Sequence, residues 1–390
     1  MEKNLGVYVH IPFCRSKCEY CDFYSLAGAR TKDLMDRYLH ALLAHIKETA
    51  PLAPDYTVDS VYFGGGTPSF FGADGLKRLV YELDRQFRLS RNCEITFEAN
   101  PDSVSGAMLK KLRNAGFTRM SLGVQNDSDE VLRALGRPHT YDQAVQAVEK
   151  ARGAGFDNIS VDLMYGLPNQ TAEKWMTTLR HVLDLKPDHI SCYGLKVEPG
   201  TPLYTYRDGA NLPDDDAQAD MYLYAVETLE NFGYSQYEIS NFAREGMACR
   251  HNLKYWSGGE YLGFGPSASS DFAGKRFTNA PNLEQYMDGV LGKGVVLSEC
   301  ETIAPRERAG EYLMLRLRTA QGIREDEYTS RFLLPFKMLQ KGMEIYAKRG
   351  LTVFEDGRWR LTPRGYLLSN RIISAMLEVQ ERTAPMEKRP

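Results

Sequence analysis

Three cysteines stand close together early in the chain: Cys14, Cys18 and Cys21. They are spaced C-x3-C-x2-C and follow the apolar run Gly6-Val7-Tyr8-Val9-His10-Ile11-Pro12-Phe13. Three neighbouring thiols are poor disulfide material, because one is always left over. They suit three irons of a 4Fe-4S cluster, which has four irons and usually four protein thiolates. One iron then stays open to an outside ligand, so the spacing points to chemistry or ligand capture there. Zinc is the competing reading. Zinc sites pair C-x2-C with a second Cys/His pair further on, and the next cysteine here, Cys93, stands alone.

Other groups with chemical potential fall at the ends of predicted strands. Gly64-Gly65-Gly66-Thr67-Pro68 lets backbone groups approach a ligand with no Cβ in the way; taken alone it is a tight turn. Glu98 and Asp162 offer carboxylates for ribose hydroxyls or an ammonium, or else serve as helix caps or surface acids. Gln125 both donates and accepts. Arg137 can pair with a carboxylate or remain a solvated charge. Ligands collect at the carboxyl ends of strands in parallel α/β folds. The shared placement therefore counts for more than any single motif.

The elements that must position these groups alternate regularly. Strands are predicted over 6–11, 58–63, 93–98, 119–124, 158–164 and 189–195. Helices are predicted over 31–50, 75–87, 104–115, 127–135, 141–154 and 172–185. The strands read as apolar and buried on both faces, which argues for βαβ units and a parallel sheet. Six such units suit an α/β fold built on an incomplete parallel (β/α)6 barrel. A helix follows over 214–232, then strand-like pieces over 234–239, 252–256, 261–265 and 276–279. The chain turns helical and charged from 297. A hairpin over 350–362 turns at Asp356-Gly357, and a helix runs over 363–376. The expected division is a barrel over 1–210, a flanking helix and β segment over 211–296, a winged-helix-like unit over 297–382 and a disordered tail over 383–390.

The 390 residues are 43% hydrophobic and 25% charged, the composition of a soluble globular protein with a sizeable core. A net charge of −3 gives no global pull toward nucleic acid or anionic membrane. Near the C-terminus Arg358, Arg360, Arg364 and Arg371 are offset by Glu355, Asp356 and Glu378, so no basic stripe supports a nucleic-acid partner. No signal peptide or membrane span is read. Seven cysteines, an odd and scattered set, argue for the cytoplasm over a disulfide-forming compartment.

The run Tyr8-x-His10-Ile11-Pro12-Phe13-Cys14, its cysteine spacing and Gly64-Gly65-Gly66-Thr67-Pro68 together resemble the radical S-adenosylmethionine (SAM) superfamily. Within it they resemble the group of oxygen-independent coproporphyrinogen III oxidase and the HemW-type haem chaperones. The resemblance implies that Cys14, Cys18 and Cys21 hold the cluster, with Tyr8 and Tyr20 beside cluster and SAM. It implies that Gly65, Gly66 and Thr67 contact the methionyl part of SAM, and that Glu98, Gln125, Arg137 and Asp162 hold the rest. It also implies one-electron cleavage of SAM to a 5′-deoxyadenosyl radical. The protein then positions the cofactor and excludes water.

Two departures separate the relatives. The oxidase pattern carries a further cysteine where this chain has Phe23. Cys14 also comes too early for the extension that precedes the oxidase motif. The segment His251-Asn252-Leu253-Lys254-Tyr255-Trp256 is similar to the H-N-x-x-Y-W signature of the chaperones. Imidazole is a good iron ligand, and Tyr255 and Trp256 offer flat apolar surface to a porphyrin. Lys254 and Arg250 can meet propionates; Cys249 is an alternative thiolate, though it reads first as a buried free cysteine. The residues alone favour a hydrogen-bonded structural histidine; only the resemblance makes His251 a haem ligand.

The expected function is a haem chaperone that binds haem, a 4Fe-4S cluster and SAM. It delivers haem to acceptor haem proteins, respiratory ones among them, draws on an electron donor and is compatible with a homodimer. The alternative is a radical SAM enzyme acting on a tetrapyrrole, by decarboxylating propionates of coproporphyrinogen III or by another radical reaction. A nucleic-acid-binding C-terminal unit ranks below both.

Overall fold

The computed structural model describes residues 3–28, 31–294 and 296–383. Residues 384–390 of the predicted tail lie outside the described residues. Six parallel strands form the centre: β1 (Lys3–Ile11), β2 (Tyr56–Gly65), β3 (Arg88–Ala99), β4 (Arg119–Gln125), β5 (Asn158–Tyr165) and β6 (His189–Gly194). They are neighbours in sequence order. The helices α1 (Lys32–Thr49), α2 (Ala73–Gln86), α3 (Gly106–Asn114), α4 (Tyr141–Gly153) and α5 (Ala172–Asp184) connect them. Local signals set these helices. Thr31 caps α1 by accepting from the Leu34 N–H, and Thr140 with Gln143 forms a capping box on α4, each satisfying N–H groups the helix cannot.

Strand residues alternate between two faces, and the faces differ. Leu5, Val7, Val9 and Ile11 of β1, Ile95 and Phe97 of β3, and Met120, Leu122 and Val124 of β4 belong to the apolar core. Their alternates are polar: Tyr8 and His10, Thr96 and Glu98, Arg119 and Ser121. This corrects the reading of strands apolar on both faces. One face packs under helices, and the other forms a polar interior in which Glu94, Arg119 and His189 are buried.

After α6 (Asp215–Asn231) the sheet is extended on both sides. β7 (Ser235–Glu238) and β8 (Asn241–Ala243) lie beyond β6. β9 (Tyr261–Phe264) pairs parallel with β1. β10 (Ser269–Phe272), β11 (Lys275–Asn279) and β12 (Leu297–Thr302) follow antiparallel. Among the described residues the sheet has twelve strands and two free ends, so it is an open barrel.

The segment 252–256, expected as strand, is instead the helix α7 (Arg250–Trp256). Its start is fixed from a distance: the buried Glu94 carboxylate of β3 accepts the N–H groups of Arg250 at 3.1 Å and His251 at 3.2 Å. A carboxylate there meets unsatisfied N–H groups and the positive end of the helix dipole.

The C-terminal part holds α8 (Pro305–Arg316), β13 (Ile323–Arg324), α9 (Glu325–Phe332), α10 (Lys337–Ala347), β14 (Thr352–Glu355) and β15 (Arg358–Leu361). The three strands form one small sheet, and the hairpin turns through positive φ at Asp356 and Gly357. The helix expected over 363–376 is two: Pro363–Leu367, then α11 (Ser369–Glu381), with Leu368 out of helical geometry between them. Among the described residues no helix is long and apolar enough to cross a membrane.

Candidate cluster and cofactor site

β1 delivers the chain directly into the cysteine loop, where Phe13–Cys14 pairs with Leu26–Ala27. Far contacts hold the loop: Glu19 N–H donates to Leu135 O at 3.1 Å and Ser16 Oγ to Gly136 O at 3.3 Å. Cys14, Cys18 and Cys21 are half-buried and unbridged. All three line a cavity of about 510 Å³ together with Tyr20 and Phe23. Burial raises the Cys14 thiol and pushes that of Cys21 up to about 11. Thr67 Oγ1 donates to Cys14 Sγ and Arg137 Nη1 to Cys18 Sγ, each at 3.5 Å; the Thr67 bond opposes the rise at Cys14. Among the described residues no three His, Cys, Asp or Glu side chains converge on a single ion.

The glycine triplet does something different from what its composition suggests. A Cβ on Gly66 would lie 2.9 Å from the carbonyl oxygens of Ile11 and Phe13 and 3.0 Å from Cys14 Sγ. A Cβ on Gly65, at φ +108°, would meet the His10 ring at 2.4 to 2.9 Å. The space is taken by the end of β1 and the start of the cysteine loop. Gly65, Gly66 and Thr67 still line the cavity.

The carboxyl ends of β3, β4 and β5 supply the facing wall. Glu98 accepts from Tyr62 Oη at 2.9 Å and Gly65 N–H at 3.2 Å. Burial nonetheless raises its carboxyl to about 7. Asp162 accepts hydroxyls from Ser121, Ser160 and Ser191, the last at 2.7 Å; burial raises it and the serines oppose the rise. Gln125 lines the cavity from a positive φ of 67°. Arg137 has no carboxylate partner among the described residues. It donates to Asn100 Oδ1 and Gly123 O, both at 2.7 Å, and so ties two strand ends to the cysteine loop.

Arg119 and Asn252 are among the wall residues that the sequence reading did not assign to this cavity. Arg119 is 2% exposed, and its Nε is buried without a hydrogen-bond partner among the described residues. It faces the same cavity as Glu98 and Asp162, so this wall carries both signs of charge. Asn252, from α7, also lines the cavity. The signal for Arg119 was its even spacing with Ser121, Gly123 and Gln125.

Tyr8 is placed elsewhere. Its hydroxyl meets His10 Nδ1 at 3.0 Å and its ring stacks on Tyr62 at 6.4 Å. It lines a second cavity, of about 590 Å³. Of the three residues read as haem contacts, Tyr255 lines this second cavity, and His251 and Trp256 line neither. His251 is 1% exposed and fully engaged: Nδ1 lies 3.0 Å from Ser60 Oγ and Nε2 lies 2.8 Å from Tyr255 Oη. Burial lowers its pKa to about 3, so the ring is neutral.

A three-cysteine loop at the mouth of a six-stranded parallel half-barrel, with acids and an amide at the strand ends, defines the radical SAM class. The sequence profile of the Radical SAM superfamily matches residues 8–182, and that of the HemN C-terminal domain matches 303–368. Coproporphyrinogen III oxidase (HemN) from Escherichia coli, described as a radical SAM enzyme, superposes with a TM-score of 0.84 at 27% identity. The superposition covers 96% of this chain and 90% of that one. The heme chaperone HemW of Bacillus subtilis is 34% identical over 378 residues, 95% of this chain and 99% of that protein. That of Escherichia coli is 32% identical, covering 96% and 98%. The chain belongs to the HemW family of the radical SAM superfamily.

Proposed function

We propose that this protein is a haem carrier. It holds a 4Fe-4S cluster on Cys14, Cys18 and Cys21, takes SAM in the adjoining cavity, binds haem and passes it to acceptor haem proteins, respiratory ones among them. The observation that supports this best is the position of α7. The helix bearing the H-N-x-x-Y-W segment puts Asn252 on the cysteine cavity and Tyr255 on its neighbour. The Bacillus subtilis and Escherichia coli relatives are both named heme chaperones.

Such a cluster, when loaded with SAM, supplies one-electron cleavage of the sulfonium. The chain's own groups do the rest. Thr67 and Arg137 donate to the sulfurs of Cys14 and Cys18 and orient them. Glu98, Asp162 and Gln125 offer acceptors and a donor for the amino, hydroxyl and ring groups of SAM, and Tyr20 walls the cysteine side. Phe23 stands where the oxidase pattern has a thiol, so no further sulfur ligand is available at that point. An electron donor feeds the cluster, and the cytoplasm is the compartment that suits it. The units 1–210, 211–296 and 297–382 then serve as radical SAM core, α7-bearing flank and cover. For His251 to reach haem iron through Nε2, the Tyr255 hydroxyl must first let go of it.

The second reading, a radical SAM oxidase acting on coproporphyrinogen III, draws on the superposition with HemN over nearly the whole chain. Anaerobically reconstituted protein separates the two. The carrier reading expects a Soret shift on haem addition and no conversion of coproporphyrinogen III with SAM and reductant. Sustained conversion would select the oxidase. Cys14→Ala is expected to abolish cluster iron; full retention would overturn the ligand assignment.

A further inference from the structure

The second cavity lies between the β1–β9 side of the sheet and the C-terminal helices. Its volume of about 590 Å³ is within the range of small-molecule sites. Tyr8, Tyr24, Tyr255 and Tyr261 line one side, and Tyr312 and Met314 of α8 the other. The rings of Tyr255 and Tyr261 meet edge to face at 4.6 Å. A wall of several tyrosines offers flat apolar area with polar edges.

The cations of this cavity are not equivalent. Arg276 and Arg308 are spent on Asp271 and Glu311. Arg331 of α9 is exposed and lies over the Tyr312 ring at 5.7 Å and the Phe332 ring at 5.3 Å. It has no carboxylate partner among the described residues. A guanidinium held near two rings at the rim, with no carboxylate of its own among the described residues, is suited to an anionic carboxylate arriving with the ligand.

We propose that this cavity is the haem site: the porphyrin lies against the tyrosine wall and a propionate meets Arg331. The proposal rests on the haem-carrier reading and gives it a place. It also assigns His251 an indirect part. His251 stands behind Tyr255, 2.8 Å from its hydroxyl, and is a positioning residue that holds Tyr255 at the wall.

The test is a haem titration followed by Soret absorbance on the full, reconstituted chain. Wild-type, Arg331→Gln, Met314→Trp and Trp256→Ala are compared, with circular dichroism as the folding control. Arg331→Gln is expected to weaken haem roughly tenfold or more, as loss of a charge-assisted bond does. Met314→Trp fills the cavity and is expected to weaken it further, and Trp256→Ala to leave it within about threefold. Haem dimethyl ester, which has no propionate charge, is expected to bind wild-type and Arg331→Gln alike. For His251, His251→Ala and Tyr255→Phe are expected to shift the Soret maximum in the same direction, and the double variant no further. Wild-type protein that takes up no haem would end the carrier reading and this site with it. Wild-type protein that binds haem while Arg331→Gln and Met314→Trp bind it equally well would overturn the site alone. A misfolded Met314→Trp leaves the ester comparison to decide: a persisting Arg331 effect on the ester would refute the propionate contact.

Discussion

A methyl group at position 66 would have nowhere to go. Two carbonyl oxygens and the Cys14 sulfur lie within 3.0 Å of where it would stand, and backbone cannot step aside as a flexible side chain can. Gly66→Ala is therefore expected to displace the cysteine loop, cutting cluster iron by more than half for a stability loss of about 1–3 kcal/mol. Iron and sulfide content set beside a melting curve checks both. Glu98 gives a second prediction. Its folded pKa, about 7, exceeds the ordinary value of 4.5, so the folded protein holds this proton more tightly than the unfolded chain. The associated stability is full below pH 4.5 and is lost as pH rises toward 7. Glu98→Gln lacks this loss. Relative to wild-type it is expected to gain about 1–3 kcal/mol between pH 4.5 and 7.5, and denaturant titrations at both pH values measure the gap. The cysteines and strand-end groups were legible because spacing and strand ends are local facts. The role of Gly66 was not, because what crowds it is the chain's own return from β1. Arg119 was hidden for a related reason: a buried, inward-facing arginine shows only once the faces of β4 are known.

Among the elements, α7 shows how a distant contact overrides local preference. Its aromatic and apolar residues alternate well enough to suggest a strand, and it is too short to form alone. The Glu94 carboxylate, anchoring the N–H groups of Arg250 and His251 from β3, decides the matter. Glu94→Ala is expected to cost about 2–4 kcal/mol, since the N–H groups of Arg250 and His251 and the buried Arg119 guanidinium lose their acid neighbour. It is also expected to release His251 from the Ser60–Tyr255 pair. Equilibrium unfolding, with hydrogen exchange at residues 250–256, reads both. Full protection of those amides in Glu94→Ala would show that the helix stands without its anchor. The other helices were legible because their caps, Thr31 and Thr140 among them, are their own neighbours in sequence.

At the scale of the molecule, an apolar face under helices and a polar interior face let one open sheet serve both as core and as site. The alternating βαβ rhythm made the six parallel strands readable. The extension of the sheet through β9 to β12 was not, because those strands find β1 only after the chain has gone round the barrel. The C-terminal unit is fastened to that extension by Asp271, Arg276, Arg308 and Glu311. Asp271→Asn is expected to cost about 2 kcal/mol, as a partly buried ion pair does when one partner goes. It is also expected to speed proteolysis at 303–304; an unchanged cleavage rate would place the fastening elsewhere. One consequence of α7 belongs to the whole protein. Asn252 and Tyr255 ride on the same short rigid rod, one on each cavity. Whatever factor SAM imposes on haem affinity, haem must impose on SAM affinity. Calorimetric titration of SAM with and without haem is expected to give different affinities; equal values would mean the rod does not move. On the haem-carrier reading proposed above, filling the one cavity and filling the other then become one equilibrium, read from either end.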